Sequence, residues 1–312
     1  MMPPQRLSLI IPTKGTANTP HPKQAHRTVI VRIIKGLEDM VDLYTLHPGM
    51  GPDGWYFSGE GGSLPADPLY GFKLLRDLYE KADPAFSGRV TVPVLWDKKT
   101  HTIVNNESSE IIRMFATAFD DLIPEHLREA NRPGGGLYPP WLRRQIDELN
   151  EWVYRDINDG AYKAGFAASQ EAYDSALYPL FAALDRVEAI LSSSSAASPG
   201  QKRYLVGDHL TEADVRLYAT IARFDVAYYP IFHCNLKLVR HDYPAIYLWF
   251  RRLYWDDESE VTRGAFFRTT APMVPYYPAV YALGRRFVVM HNQGPVIVPR
   301  GPAVYVDPLP EL

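Results

Sequence analysis

Two short stretches carry groups able to hold a peptide-like ligand. In Thr91-Val92-Pro93 a proline interrupts the run Val90 to Asp97, which otherwise reads as a strand. Proline has no N–H to give a sheet ladder, so such a strand ends or bends there. With a cis Val92–Pro93 bond, Val92 would turn its N–H and C=O outward, ready to pair with another backbone. A trans proline at a strand end is the commoner arrangement, since only about 5% of X–Pro bonds in folded proteins are cis. The second stretch, Asn105-Asn106-Glu107-Ser108-Ser109-Glu110, opens a helical run through Ile111, Ile112, Met114 and Phe115. Ser108 would offer N–H groups at a helix N-terminus, a natural place for a carboxylate. Glu107 beside it could accept from a ligand ammonium group. A plain helix cap at Ser108 or Ser109, worth roughly 1 kcal/mol, is the simpler alternative.

These groups need elements to position them. Residues 6 to 11 read as a short strand, and a turn-rich stretch from Pro12 to Pro22 follows. Val29, Ile30, Ile33, Ile34 and Leu37 fall at helical spacing over 25–37, with Gly36 near the end. Met40 to Leu46 alternates as a strand, Leu69 to Lys81 reads as a helix, and Thr102 to Asn105 is a short strand. Up to residue 120 the order is therefore β-α-β-α-β-β-α. The Pro/Gly-rich segment Asn131 to Pro140 is a candidate linker, and helices are expected at 142–154, 171–191, 212–229 and 244–254. Ser192 to Ser198 reads as a flexible loop. The expected division is an α/β domain over 1–122 and an all-helical domain over 141–312. Thr211 with Asp214 three residues on has the form of a capping box, and Leu210 is placed to staple Val215.

Composition narrows the field further. An apolar fraction of 46% and a charged fraction of 22% are those of an ordinary globular chain, which excludes general disorder. The net charge of −3, without a basic cluster, argues against nucleic acid and anionic membranes as partners. The single cysteine, Cys234, excludes an internal disulfide and a Cys-rich zinc site. The apolar run Leu7 to Ile11 is too short to span a membrane. A soluble, cytoplasmic protein is expected, with no metal. Twenty tyrosines and six tryptophans hint at an aromatic-lined pocket.

Gly88 to Asp97 and Ile103 to Met114 together resemble the glutathionyl-hydroquinone reductases, the omega-like Xi class of glutathione transferases. The similarity continues in Gly54-Trp55, Asp67-Pro68-Leu69-Tyr70, Asn158 to Ala167, Tyr204-Leu205-Val206-Gly207, Leu210 to Leu217, Arg223-Phe224-Asp225 and Phe232-His233-Cys234-Asn235. The resemblance implies a thioredoxin-like N-terminal domain, an all-helical C-terminal domain and a glutathione site at their seam. By that analogy Val92 pairs with the cysteinyl backbone of glutathione, and Glu107 and Ser108 hold its γ-glutamyl end. Trp55 and Arg89 would contact the tripeptide; read alone, they are a loop-packing aromatic and a solvated charge. Tyr154 and Tyr162 are implied for an aromatic acceptor pocket, where a phenol can bond a quinol oxygen, although each could equally be a core tyrosine. Glutathione as co-substrate, glutathionyl-quinols as partners and a homodimer follow from the same resemblance.

The chain departs from that family in two blocks. The family places Cys-Pro-Trp before the helix that begins here at Ala25-His26-Arg27, because a helix N-terminus lowers a thiol pKa. Here the matching residues are Pro22-Lys23-Gln24. No catalytic residue is therefore assigned, and Thr16 and Thr19 offer hydroxyls only. Cys234 reads as a buried, inert thiol. The second block, 271–290, replaces a segment that brings aromatic residues to the acceptor pocket, with Tyr276 and Tyr277 as its nearest substitutes. Both replacements are abrupt between closely matching flanks, the pattern of a retained intron or a displaced exon edge.

Overall fold

The computed structural model describes residues 7–12, 23–193, 202–257, 259–291, 293 and 295–310. Pro22, Thr16, Thr19 and most of the serine-rich loop lie outside the described residues. Four strands, β1 (Leu7–Pro12), β2 (Val41–Leu46), β3 (Val94–Asp97) and β4 (Thr102–Asn105), form a sheet of order β2-β1-β3-β4. β1 and β2 run parallel, joined by α1 (Lys23–Ile34), whereas β3 and β4 are antiparallel to their neighbours. Alternation along the strands sorts the side chains between two cores. Leu9, Ile11 and Leu95 face α1, α3 (Ser108–Thr117) and the helical half of the chain. Ile10, Val94 and Trp96 face α2 (Leu75–Ala82) and Trp55. This is the thioredoxin-like arrangement that the motifs imply.

Two elements are shorter than their sequence pattern. The helix expected from Leu69 starts only at Leu75. The buried Asp67 carboxylate accepts the Tyr70 N–H at 2.7 Å, and Gly71 takes φ +74°, a left-handed conformation that stops helical winding. The strand expected from Val90 starts at Val94, after the proline. Residues 90–92 are held instead by side chains described below.

The helical half comprises α4 (Arg143–Trp152), α5 (Gly160–Gly165), α6 (Gln170–Ser192), α7 (Glu212–Arg223), α8 (Tyr229–Ile231), α9 (Val239–Asp242), α10 (Pro244–Tyr254), α11 (Ala265–Thr270) and α12 (Tyr277–Val289). α4 and α7 each widen into a π turn, at Val153–Asn158 and Phe224–Tyr228. The expected capping box is present: the Asp214 carboxylate accepts the Thr211 N–H at 3.0 Å and the Thr211 hydroxyl at 3.1 Å.

The Pro/Gly-rich segment between the halves is tied down. Lys35, fully buried at the end of α1, pairs with Asp120 at 3.0 Å and Glu129 at 3.3 Å. Glu129 in turn accepts the Leu137 N–H at 2.5 Å, and Arg132 donates to the carbonyls of Ile34 and Val261. A second clasp joins α3 to α7 and α4. Arg113 donates Nε and Nη2 to the buried Glu212 carboxylate, at 2.9 and 2.7 Å, and Asn150 donates to it at 3.0 Å. These ties fix where the mouth of α3 stands relative to the helical half.

Candidate functional site

An open groove of about 1020 Å³ runs between the two halves. Its walls are the loop Met50–Trp55, the start of α2 at Leu74 and Arg76, the segment Gly88–Val92, the mouth of α3 at Asn106, Glu107 and Ser108, and Tyr154 from the helical half. Trp55, Arg89, Val92, Glu107, Ser108 and Tyr154 thus meet at one place, although they are scattered over a hundred positions of sequence.

One wall of the groove is held in place by the buried Tyr79 on α2. Its hydroxyl donates to the Thr91 carbonyl at 2.9 Å and accepts the Thr91 N–H at 3.3 Å. Asn106 ties this segment to α3, its Nδ2 donating to Thr91 Oγ1 at 2.9 Å and to the Tyr79 hydroxyl at 3.2 Å. Residues 90–92 are therefore kept off the sheet and beside the helix mouth. The Val92–Pro93 bond is cis. Among the described residues, nothing bonds the Val92 N–H or C=O, so one donor and one acceptor of backbone spacing stand free.

Across the groove, α3 opens at Ser108 with Glu107 at the cap position. Neither serine caps the helix through its side chain. The first bonds of the turn run from Glu110 N–H and Ile111 N–H to the Glu107 carbonyl, at 3.0 and 2.9 Å. The Ser108 and Ser109 N–H groups are left without a partner among the described residues, which makes this end of α3 electropositive. Asn105 braces the turn, accepting the Glu107 N–H at 2.6 Å and donating to Glu110 at 2.5 Å. Glu107 and Arg89 are exposed, and Trp55 is 6% exposed, in one apolar cluster with Phe57, Leu75 and Leu78.

Tyr154, on the π turn after α4, is 45% exposed and reaches the groove from the helical side. Tyr162 does not line it. Its ring packs among Phe166, Tyr228, Phe232 and Tyr281, and its hydroxyl lies 3.0 Å from that of Tyr281. Burial pushes the Tyr162 phenol well above its usual pKa, so it stays protonated. Of the two tyrosines offered as substitutes in the unmatched block, Tyr277 is buried under the Arg223 guanidinium and Tyr276 is exposed. Neither lines the groove. Arg76, Asn106 and Tyr79 were not singled out from sequence. For Tyr79 a signal existed, since it shares the apolar face of α2 with Leu75 and Leu78; for Arg76 there was none.

Cys234 is fully buried, and burial pushes its thiol up to about 12. A thiol-directed reagent at pH 8 is expected to label the native chain at least ~100-fold more slowly than the unfolded chain. Matching labelling rates would show this thiol to be accessible. Among the described residues no group of three His, Cys, Asp or Glu side chains is placed to hold a metal ion, and no helix is long and apolar enough to cross a membrane.

Two family descriptions match the chain: glutathione S-transferase, N-terminal domain, over residues 23–118, and glutathione S-transferase, C-terminal domain, over residues 170–252. The glutathionyl-hydroquinone reductase YqjG of Escherichia coli is 49% identical over 230 residues, covering 74% of this chain and 65% of that protein. The crystal structure of glutathione transferase Xi from Phanerochaete chrysosporium superposes with a TM-score of 0.83 at 43% identity, over 98% of this chain and 92% of that one. The glutathione-bound structure of YqjG gives 0.81 at 39% identity, over 99% and 88%.

Proposed function

This chain belongs to the glutathionyl-hydroquinone reductase class of glutathione transferases, the Xi class, and we propose that its groove binds glutathione and glutathionyl-quinols. Glutathione is the co-substrate of this family, and its chemistry suits the lining. The unpaired Val92 N–H and C=O would take the cysteinyl backbone, as two strands pair. The unpaired N–H groups of Ser108 and Ser109 would take the γ-glutamyl carboxylate, with Glu107 accepting from its ammonium group. Trp55 and Arg89 would flank the remainder of the tripeptide. Tyr154 would supply a phenol toward the quinol ring, with Tyr162 supporting the aromatic wall from behind. The observation that carries this reading is the pairing, across one groove, of a free backbone edge with a free helix mouth.

Ser108→Pro tests it. Proline is tolerated at the first helical position, and Glu107 already has the extended backbone (φ −93°, ψ 112°) that a following proline demands. The substitution therefore deletes one N–H while leaving α3 intact. Glutathione affinity measured by calorimetry is expected to fall about 10-fold, the worth of one charge-assisted hydrogen bond, with the melting temperature unchanged. A wild-type chain that takes up no glutathione, or a variant that binds it as well, would remove the basis of the proposal.

With Pro22 where the family has its cysteine, this chain would hold its ligand without a thiol nucleophile at that position. That favours a second reading, a binding or assembly module built on the same groove. A homodimer is expected in either case, from the class alone.

A further inference from the structure

A second cavity, of about 440 Å³, lies between α1, the β1–β2 side of the sheet and α11. It shares no lining residue with the groove. Ile11, Val29, Ile33, Leu43 and Met273 give it apolar walls, and two arginines, Arg32 and Arg268, also line it. That volume and mixture are those of a small-molecule site.

Of these two cations, Arg268 has a carboxylate within ion-pair distance and Arg32, among the described residues, has none. Arg32 is only 9% exposed, and its bonds go to carbonyl oxygens alone: Nε to Val41 at 2.6 Å and Nη2 to Glu38 at 2.9 Å. Among the described residues no carboxylate is in ion-pair contact with it, and its Nη1 has no partner. Arg268 adds like charge from α11. The nearest carboxylate, Glu38, is shared by Arg263 at 3.6 Å and Arg268 at 3.7 Å. Asp39 and Asp42 act on Arg32 from farther off, and Asp42 is itself paired with Lys98. His26 also stands in the wall. Its Nδ1 faces Arg223 Nη1 at 3.1 Å, and an arginine can only donate, so Nδ1 accepts and Nε2–H gives to Thr269 at 2.9 Å. A buried cation whose hydrogen bonds all go to carbonyls, with its carboxylates acting only from a distance, gains from an anion in direct contact.

We propose that this cavity is a second binding site, for an organic monoanion with a compact apolar body. The anionic group meets Arg32 and Arg268, and the body lies on Val29, Ile33, Leu43 and Met273. The site is independent of glutathione binding, so the two readings stand or fall separately.

2-Naphthoate and its uncharged counterpart 2-naphthalenemethanol are the probes, titrated calorimetrically into the full chain. Naphthoate is expected to bind saturably, at least ~10-fold more tightly than the alcohol, as a charge-assisted bond requires. Saturating glutathione is expected to leave that affinity unchanged. Arg268→Ala, at a half-exposed side chain, should weaken naphthoate severalfold and leave the alcohol alone. Val29→Trp, which fills the cavity, should abolish binding of both. Should that variant fail to fold, Arg268→Ala and the charge comparison still decide. No saturable naphthoate binding, equal affinity for the two probes, displacement by glutathione, or indifference to Arg268→Ala would each overturn the proposal.

Discussion

Placing Cys-Pro-Trp at the start of α1, with Pro22→Cys, Lys23→Pro and Gln24→Trp together, is expected to raise reduction of a glutathionyl-hydroquinone at least ~1000-fold over the unsubstituted chain. The size follows from what a nucleophile contributes when the rest of a site is in place. α1 begins at Lys23, so a thiol at position 22 would stand immediately before the N-terminus of that helix. Such placement lowers a thiol pKa from ~8.5 into the range ~3.5–7.5 and supplies thiolate at neutral pH. The thiolate attacks the glutathionyl sulfur, the C–S bond to the ring breaks, and the ring carbon takes a proton. That releases the quinol and leaves a mixed disulfide, which a second glutathione thiolate resolves to glutathione disulfide and free enzyme thiolate. Steady-state assays with the unsubstituted chain, the triple variant and its Pro22→Ser counterpart check this. Turnover by the triple variant alone supports a reductase scaffold. Glutathione binding with no gain in turnover supports the binding module.

How much of this was legible depended on whether the controlling interaction lay near in sequence. The capping box at Thr211 and Asp214 spans three positions and was readable at once. So was the strand Thr102–Asn105, bounded by a turn and by a helix start. The helix expected from Leu69 was misplaced because its brake is tertiary and conformational: a buried carboxylate on the Tyr70 N–H and a left-handed Gly71. The shortened β3 was half legible. Pro93 announced it, but the hold of Tyr79 on Thr91 joins residues from separate elements and leaves no periodic trace. The short helices α5, α8, α9 and α11 are set by packing rather than by propensity, and carry too few turns to show a period. In the groove, family motifs brought forward six of the lining residues, whereas Arg76 and Leu74 gave no local sign. For Tyr162 the sequence left two readings open, an acceptor-pocket phenol and a core tyrosine. Its neighbours in sequence match the family, yet its ring partners include Tyr228 of the π turn, Phe232 just past α8 and Tyr281 of α12, and it is absent from the groove lining.

Asp214→Ala is expected to destabilise the helical half by about 4 kcal/mol, and Asp214→Asn by nearly as much. The carboxylate is fully buried and collects four donors. Oδ1 accepts the Leu205 N–H and the Trp249 indole N–H, both at 3.0 Å, and Oδ2 accepts the Thr211 N–H and hydroxyl. Alanine abandons two backbone N–H groups and an indole N–H in the core, each costing ~1–3 kcal/mol when left unpaired, while the Thr211 hydroxyl can turn elsewhere. Asparagine keeps the shape but not the chemistry. Its single oxygen serves one pair of donors, and its amide hydrogens confront the other pair, so an isosteric swap brings little relief. The loss acts beyond the cap, because these bonds join the loop before α7, the α7 N-terminus and α10 at one point. Thermal unfolding should shift down by about 10 °C for either variant, a scale set by the unfolding entropy of a domain this size. If Asp214→Asn unfolds within a degree or two of the wild type, the four-donor nest is not what holds these elements together, and apolar packing around Trp249 and Leu210 would have to supply that hold instead.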